Sequence, residues 1–304
     1  MKEKMKANSK KFIWVGGVFV GFLFIVLVTI MYQSNRGSVS LTHIHGLGFT
    51  SDGKQLIIPA HDGLMSYSED RWQPMAGKKH DYMGFNLVDN GFYSSGHPAP
   101  GSELENPLGI IKSIDNGKTL ELLDFQGVED FHGMAVGYKT HTIYAINSQP
   151  NLKMNEVGLY ISQDETKTWN MSGLDGLTGD MTSIAAHPTE TNTVAIGTSS
   201  GIFVSNNFGE QFVRLSVEQE VTAVAYGISG DLFIGGRTVL LRQTGKEIIP
   251  LVTPFLDSDE MITYITQNPK NENELAFSTS TMNIYFSRDR GISWTKIVEV
   301  GKGL

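Results

Sequence analysis

The chain has no cysteine among its 304 residues. That absence excludes disulfide bonds, thiolate metal sites, a cysteine nucleophile and lipid attachment through cysteine. Charge is also sparse: 18% of residues are charged against 40% hydrophobic, a balance that excludes disorder of the whole chain and marks a globular protein. Arginine is scarcer still, since between residues 38 and 304 only Arg71, Arg214, Arg237, Arg242, Arg288 and Arg290 occur, beside twelve lysines. Glycine, by contrast, is plentiful at 33 residues, and Thr, Val, Ile and Phe are abundant. Those residues suit pleated surfaces and tight connections, so an all-β body of many short strands is predicted.

The charge is unevenly placed. Residues 1–11 hold Lys2, Lys4, Lys6, Lys10 and Lys11 against Glu3, and Arg36 follows. Without these, the body carries 18 basic and 31 acidic groups, a net charge of −13. Such a body repels nucleic acid and anionic lipid and favours cationic ligands, metal ions included. Residues 12–31 read FIWVGGVFVGFLFIVLVTIM, uncharged throughout. Twenty helical residues span roughly the 30 Å hydrocarbon layer. A cleaved secretory signal is the competing reading, but its apolar core is usually about 7–15 residues long and ends in a small-x-small site, which is not evident before Gln33. The segment also lacks the polar stripe of a globular helix. The predicted organisation is a cytoplasmic basic arm at 1–11, a transmembrane signal-anchor helix at 12–32, a linker at 33–40 and a body at 41–304. By the positive-inside bias this is a single-pass protein of the cell membrane with its body extracytoplasmic. Gly37 to Leu41 is either part of the linker or an added strand that closes the body.

Four windows of the body align: Ser113-Ile-Asp115-Asn-Gly117-Lys-Thr119-Leu120, Ser162-Gln-Asp164-Glu-Thr166-Lys-Thr168-Trp169, Ser205-Asn-Asn207-Phe-Gly209-Glu-Gln211-Phe212 and Ser287-Arg-Asp289-Arg-Gly291-Ile-Ser293-Trp294. Their starts lie 49, 43 and 82 residues apart, the last being two periods of 41, so a degenerate copy is expected near Lys246. Independently, six short runs share a polar first residue, apolar second and fifth residues and a small fourth: 43–47, 81–85, 130–134, 180–184, 220–224 and 260–264. A period in the forties built of β-hairpins signals a propeller of four-stranded antiparallel blades, here six, with these runs as inner strands and their small residues crowding a narrow axis. In the fourth blade the strands are predicted near 181–187, 192–198, 201–206 and 211–215.

The four windows resemble the Asp-box, or BNR repeat, S-x-D-x-G-x-T-W. The resemblance implies a scaffold role for Asp115, Asp164 and Asp289, each accepting backbone N–H bonds in a tight turn, with the terminal aromatic packed beside the next blade. Chain-wide, the sequence is similar to membrane-tethered bacterial Asp-box propellers labelled glycosyl hydrolases by similarity, with HIHGLGF and FHGMAV as the nearest correspondence. More distantly it is similar to sortilin-type receptor propellers and to the photosystem II assembly factor propeller, both of which bind polypeptides. The first and fifth blades lack a recognisable box, the second box ends in Leu120, and no catalytic motif of a characterised hydrolase can be matched.

Strand alternation sorts the remaining polar residues by face. Inner-strand starts and second-to-third connections share one end, the top, and gather His43, His45, His61, His80, His97 and His132; His141 and His187 fall at the other end. Long insertions at about 96–108 and 148–158 also project from the top, where binding function is expected. His43, His45, His61, Met83, His97 and His132 are the candidate metal ligands, imidazole suiting copper or zinc and thioether reduced copper. Asp81, Asp130, Asp180, Glu220 and Glu260 form an acid ring from which a glycosidase would draw its two carboxyls, about 5–10 Å apart. A sialidase would need clustered arginines for a sugar carboxylate, and the body has few. The leading expectation is a binding or assembly module whose top face takes a protein, peptide or glycan ligand, with copper or zinc as the possible cofactor; the alternative is a glycoside hydrolase.

Overall fold

The structure is a computed structural model and describes residues 39–304. The predicted basic arm, the predicted membrane segment and linker residues 33–38 lie outside the described residues. Twenty-five strands form six sheets. Blade 1 is β1 (Gly48–Phe49), β2 (Leu56–Ala60), β3 (Gly63–Ser68) and β4 (Arg71–Pro74). Blade 2 is β5 (Asp81–Val88), β6 (Gly91–His97), β7 (Ile110–Ser113) and β8 (Glu121–Asp124). Blade 3 is β9 (Met134–Val136), β10 (Ile143–Asn147), β11 (Gly158–Ser162) and β12 (Asn170–Met171). Blade 4 is β13 (Met181–Ala186), β14 (Val194–Thr198), β15 (Gly201–Ser205) and β16 (Val213–Arg214). Blade 5 is β17 (Ala223–Tyr226), β18 (Leu232–Gly235), β19 (Leu240–Thr244) and β20 (Glu247–Pro250). Blade 6 is β21 (Ile262–Asn268), β22 (Asn271–Thr279), β23 (Ile284–Ser287), β24 (Thr295–Glu299) and a fifth strand, β25 (Lys302–Gly303). Every pairing within a blade is antiparallel, and the first strands β1, β5, β9, β13, β17 and β21 neighbour one another in a closed ring. The six-bladed propeller expected from the repeats is therefore observed.

Each blade is buried on both faces, which explains its apolar runs. In β2, Leu56 and Ile58 pack toward blade 6 while Ile57 between them packs toward blade 2; in β14, Val194 and Ile196 face blade 3 while Ala195 faces blade 5. Side chains two apart share a face, so a continuous apolar run supplies two interfaces at once. Six hydrophobic clusters result, one between each pair of neighbouring blades.

The small fourth residues of the inner runs have a different cause from the one expected. A Cβ on Gly46 would meet Pro59 and Phe85 at 3.0 and 3.2 Å, and one on Gly133 would meet Ile146 at 2.8 Å. The crowding is against the second strand and the neighbouring blade, not the axis. Gly84 adds a backbone requirement, with φ of 52° where the register of β5 against β6 shifts.

The four aligned windows form equivalent turns. In the last, Gly291 N–H donates to Ser287 Oγ at 2.9 Å, Ser293 N–H to Asp289 Oδ1 at 2.8 Å and Ser293 Oγ to Asp289 Oδ2 at 2.6 Å. Asp115 and Asp164 accept the same bonds from Thr119 and Thr168. The residue ending each window packs toward the preceding blade rather than the next: Trp169 lies 5.8 Å from Phe125, and Trp294 Nε1 donates to Val252 O at 2.6 Å. At that position the side chain leaves the blade on the face turned to its predecessor. Blades 1 and 5 make the same connection with two residues, Glu69-Asp70 and Gly245-Lys246, the first three of which have positive φ as such hairpins require.

The ring closes through Val39–Leu41. Leu41 N–H donates to Gly301 O at 2.7 Å and Gly303 N–H to Val39 O at 3.0 Å, so this segment lies alongside β25. Val39 and Leu41 are buried in the cluster shared by blades 6 and 1. Within the described residues, Val39–Leu41 pairs with β25 through an isolated antiparallel bridge at Ser40 rather than forming a full strand.

Candidate functional site at the channel mouth

A central channel of about 950 Å³ runs down the ring and is lined from all six blades, among others by His45, Phe85, Met134, Thr182, Val224 and Tyr264. Asp81 starts β5 and pairs with His97 at the end of β6, so inner-strand starts and second-to-third connections do share one end. His43, His45, Asp130 and His132 line the channel there.

Two carboxylates organise the histidines. Asp81 is 7% exposed and reaches across from blade 2 to blade 1, where its Oδ2 lies 2.7 Å from His61 Nδ1 and its Oδ1 lies 3.3 Å from His45 Nε2. The first is a close N···O contact. The second lacks hydrogen-bond geometry, and neither Asp81 Oδ1 nor His45 Nε2 has a hydrogen-bond partner among the described residues. His43 flanks the pair, its ring 6.0 Å from those of both His45 and His61. Burial is the largest influence on His45 and holds its pKa below the usual imidazole value; Asp81 opposes this, while the neighbouring imidazoles His43, His132 and His61 add to it.

Asp130, at the start of the third inner run, forms the second group. Its Oδ2 lies 2.9 Å from His132 Nε2 and 3.2 Å from His97 Nε2, and its Oδ1 accepts from Ser95 Oγ at 3.3 Å. His97 is steadied on its other side by Asn106, whose Oδ1 lies 2.7 Å from His97 Nδ1. Ser95 and Asn106 were missed from the sequence, although Asn106 sits in one of the long insertions expected at the top.

The remaining candidates separate from these groups. Met83 does not line the channel. His80 is buried beneath the 98–109 loop, its Nδ1 accepting from Ala99 N–H at 2.8 Å, and burial lowers its pKa. Glu220 lies 3.5 Å from Arg237, and Asp180 is exposed, its backbone N–H bonded to Ser199 Oγ. Glu260 is buried and its Oε1 accepts from Thr279, Thr281 and Asn283 at 2.5, 2.6 and 2.8 Å. Burial alone would raise its pKa, but those bonds outweigh it and hold the carboxyl below its usual range. At the opposite end, His141 Nε2 meets Asp89 at 2.9 Å and its Nδ1 meets Tyr93 Oη at 3.0 Å, while His187 Nδ1 accepts from Glu190 N–H.

No protein-family model matches the chain, and no curated protein matches it. Among solved structures it is similar to the GH74 enzyme of Niastella koreensis, at 14% identity and a TM-score of 0.57 over 86% of this chain and 46% of that one. The GH74 xyloglucanase of Xanthomonas campestris gives 14% identity and 0.53 over 87% and 46%, and the extracellular domain of BT4673 from B. thetaiotaomicron gives 16% and 0.53 over 86% and 34%. At these identities the likeness is one of fold, that of an all-β propeller. The chain spans less than half the length of each of these three structures.

Proposed function

We propose that this protein is an extracytoplasmic binding or assembly module, tethered to the cell membrane by residues 12–32 with its N-terminus cytoplasmic, and that it receives a protein, peptide or glycan ligand at the histidine-bearing mouth of the channel. The observation that carries this reading is the convergence of His43, His45, His61, His97 and His132 around Asp81 and Asp130 at one end of a preformed channel. Binding sites are concave, largely preformed and furnished with a few convergent polar groups. The same histidines are where copper or zinc would enter. The equivalent turns at 113–120, 162–169, 205–212 and 287–294 support kinship with Asp-box propellers, in which the box is scaffold.

The hydrolase alternative has less support. It needs one carboxyl kept protonated beside one ionised. Asp81 and Asp130 are engaged with histidines, Glu220 lies beside Arg237, and Glu260 is held ionised by three donors.

The test is a screen of the full-length protein in nanodiscs against peptide and glycan libraries, with turnover followed on the glycans. A ligand lost on His132→Ala and kept on His187→Ala, at the opposite end, is the expected result. Glycan turnover would favour the alternative, and a ligand lost equally in both variants, or none at all, would overturn the reading.

A further inference from the structure

We propose that His45 Nε2, His61 Nδ1 and the Asp81 carboxylate form a zinc(II) site that joins blade 1 to blade 2 at the channel mouth, leaving a fourth coordination position beside His43. This deepens the binding-module reading and rests on it for the role of that open position, but not for the ion itself.

Three observations converge. One ligand atom from each of His45, His61 and Asp81 falls within 4.8 Å of the other two. His45 Nε2 and Asp81 Oδ1 lie 3.3 Å apart with neither atom otherwise hydrogen-bonded. Two ligands held at zinc distances of about 2.0–2.1 Å in a tetrahedron are about 3.3–3.4 Å apart, so the pair already stands at the edge length of a zinc coordination shell. Finally, Asp81 is more than nine-tenths buried, and an unpaired buried carboxylate oxygen is costly unless a cation compensates it.

The donor set selects the metal. Two imidazoles and a carboxylate suit zinc(II) or copper(II), whereas copper(I) favours thioether sulfur, which these three ligands do not supply. Three protein ligands with a fourth position open is the arrangement of an exchangeable zinc site rather than a closed structural one. Its open position would take a carboxylate or carbonyl oxygen of the ligand that occupies the mouth. The Asp130 group differs: although Oδ2 lies near both imidazoles, Asp130, His97 and His132 do not bring one ligand atom each within 4.8 Å of one another.

The full-length protein in detergent micelles, stripped with chelator, would be titrated calorimetrically with zinc(II), copper(II) and copper(I), and with cobalt(II) while recording visible spectra. One equivalent of zinc is expected, with a tetrahedral cobalt spectrum and weaker copper(I) binding. His61→Ala is expected to weaken zinc by more than about 100-fold while the apo protein still melts in a single cooperative transition; Asp81→Asn should do the same to zinc. No saturable zinc binding, unchanged affinity in His61→Ala, or loss in His132→Ala alone would overturn the site. Zinc binding without ligand capture would leave the site standing and sink the ligand reading; ligand capture by a protein indifferent to zinc would do the reverse.

Discussion

Asp289 and Asn207 occupy the same place in two equivalent turns, and the difference between them isolates what the carboxylate adds. Asn207 Oδ1 accepts from Ser205 Oγ at 2.8 Å and from Gln211 N–H at 3.0 Å, as Asp289 Oδ1 does from Ser287 and Ser293. Only the aspartate has a second oxygen for the Ser293 hydroxyl. Asp289→Asn is therefore expected to melt below the parent at neutral pH and Asp289→Ala lower still. The hydroxyl and backbone donors of Ser293 and the Ser287 hydroxyl hold the Asp289 carboxyl down at about 2 from 3.8. A depressed carboxyl contributes stability that is present above its unfolded value and lost as pH falls toward the folded one. The melting-temperature gap between parent and Asp289→Asn should accordingly narrow between about pH 4 and pH 2, and a gap that widens on acidification would contradict the assignment. These turns were legible because all their partners lie within six residues. Glu260 was not, since its three donors lie 19 to 23 residues downstream across a strand turn, and a carboxylate that reads as a member of an acid ring proves to be a buried structural anchor.

At the scale of strands, the fourth blade shows how well short elements can be read: β13 to β16 begin and end within two residues of expectation. Turn chemistry at HPTETN and SSG bounds them. The first inner run was harder, because the backbone of residues 43–47 pairs with β2 only at the Ile44–Ala60 bridge and the His45 N–H bond to Pro59, and the ladder proper starts at Gly48. A run can carry strand-like alternation without a ladder when a close approach such as Gly46 against Pro59 diverts it. Phe277, wholly buried in β22 between blades 5 and 6, tests the two-faced packing: Phe277→Ala should cost about 3–5 kcal/mol, read as a lower urea midpoint at unchanged m-value. Tyr144→Phe is a milder probe. Tyr144 Oη donates to Thr191 O at 2.8 Å, so its loss should cost about 1 kcal/mol in the same measurement.

Over the whole molecule, the face on which each histidine lies follows from counting antiparallel strands, which is why six equivalent runs were enough to separate His141 and His187 from the rest. Which groups meet is another matter. Asp81 belongs to blade 2 but serves the histidines of blade 1, a relation set by the packing of adjacent blades, while Met83, two residues along the same strand, does not line the channel. The mouth is lopsided as a consequence: imidazoles crowd blades 1 to 3, and from the other half the channel is lined by hydroxyls such as those of Thr182, Thr222 and Ser280. His132 is two-thirds exposed, so His132→Ala should change stability by less than about 0.5 kcal/mol while altering what the mouth retains.

The bridged segment Val39–Leu41 is the first part of the described domain to meet any tension arriving along the chain from its N-terminal side. A pull there would load the few bonds to Gly301 and Gly303 before it reached any blade interior. The ring would then open like a clasp between blades 6 and 1, exposing Trp72 and the apolar cluster around it, while the four blades opposite stayed shut. Leu41→Ala should bring that opening forward, seen as earlier and selective hydrogen exchange in β24, β25 and β4; uniform exchange across all six sheets would show that the clasp carries no special share of the load.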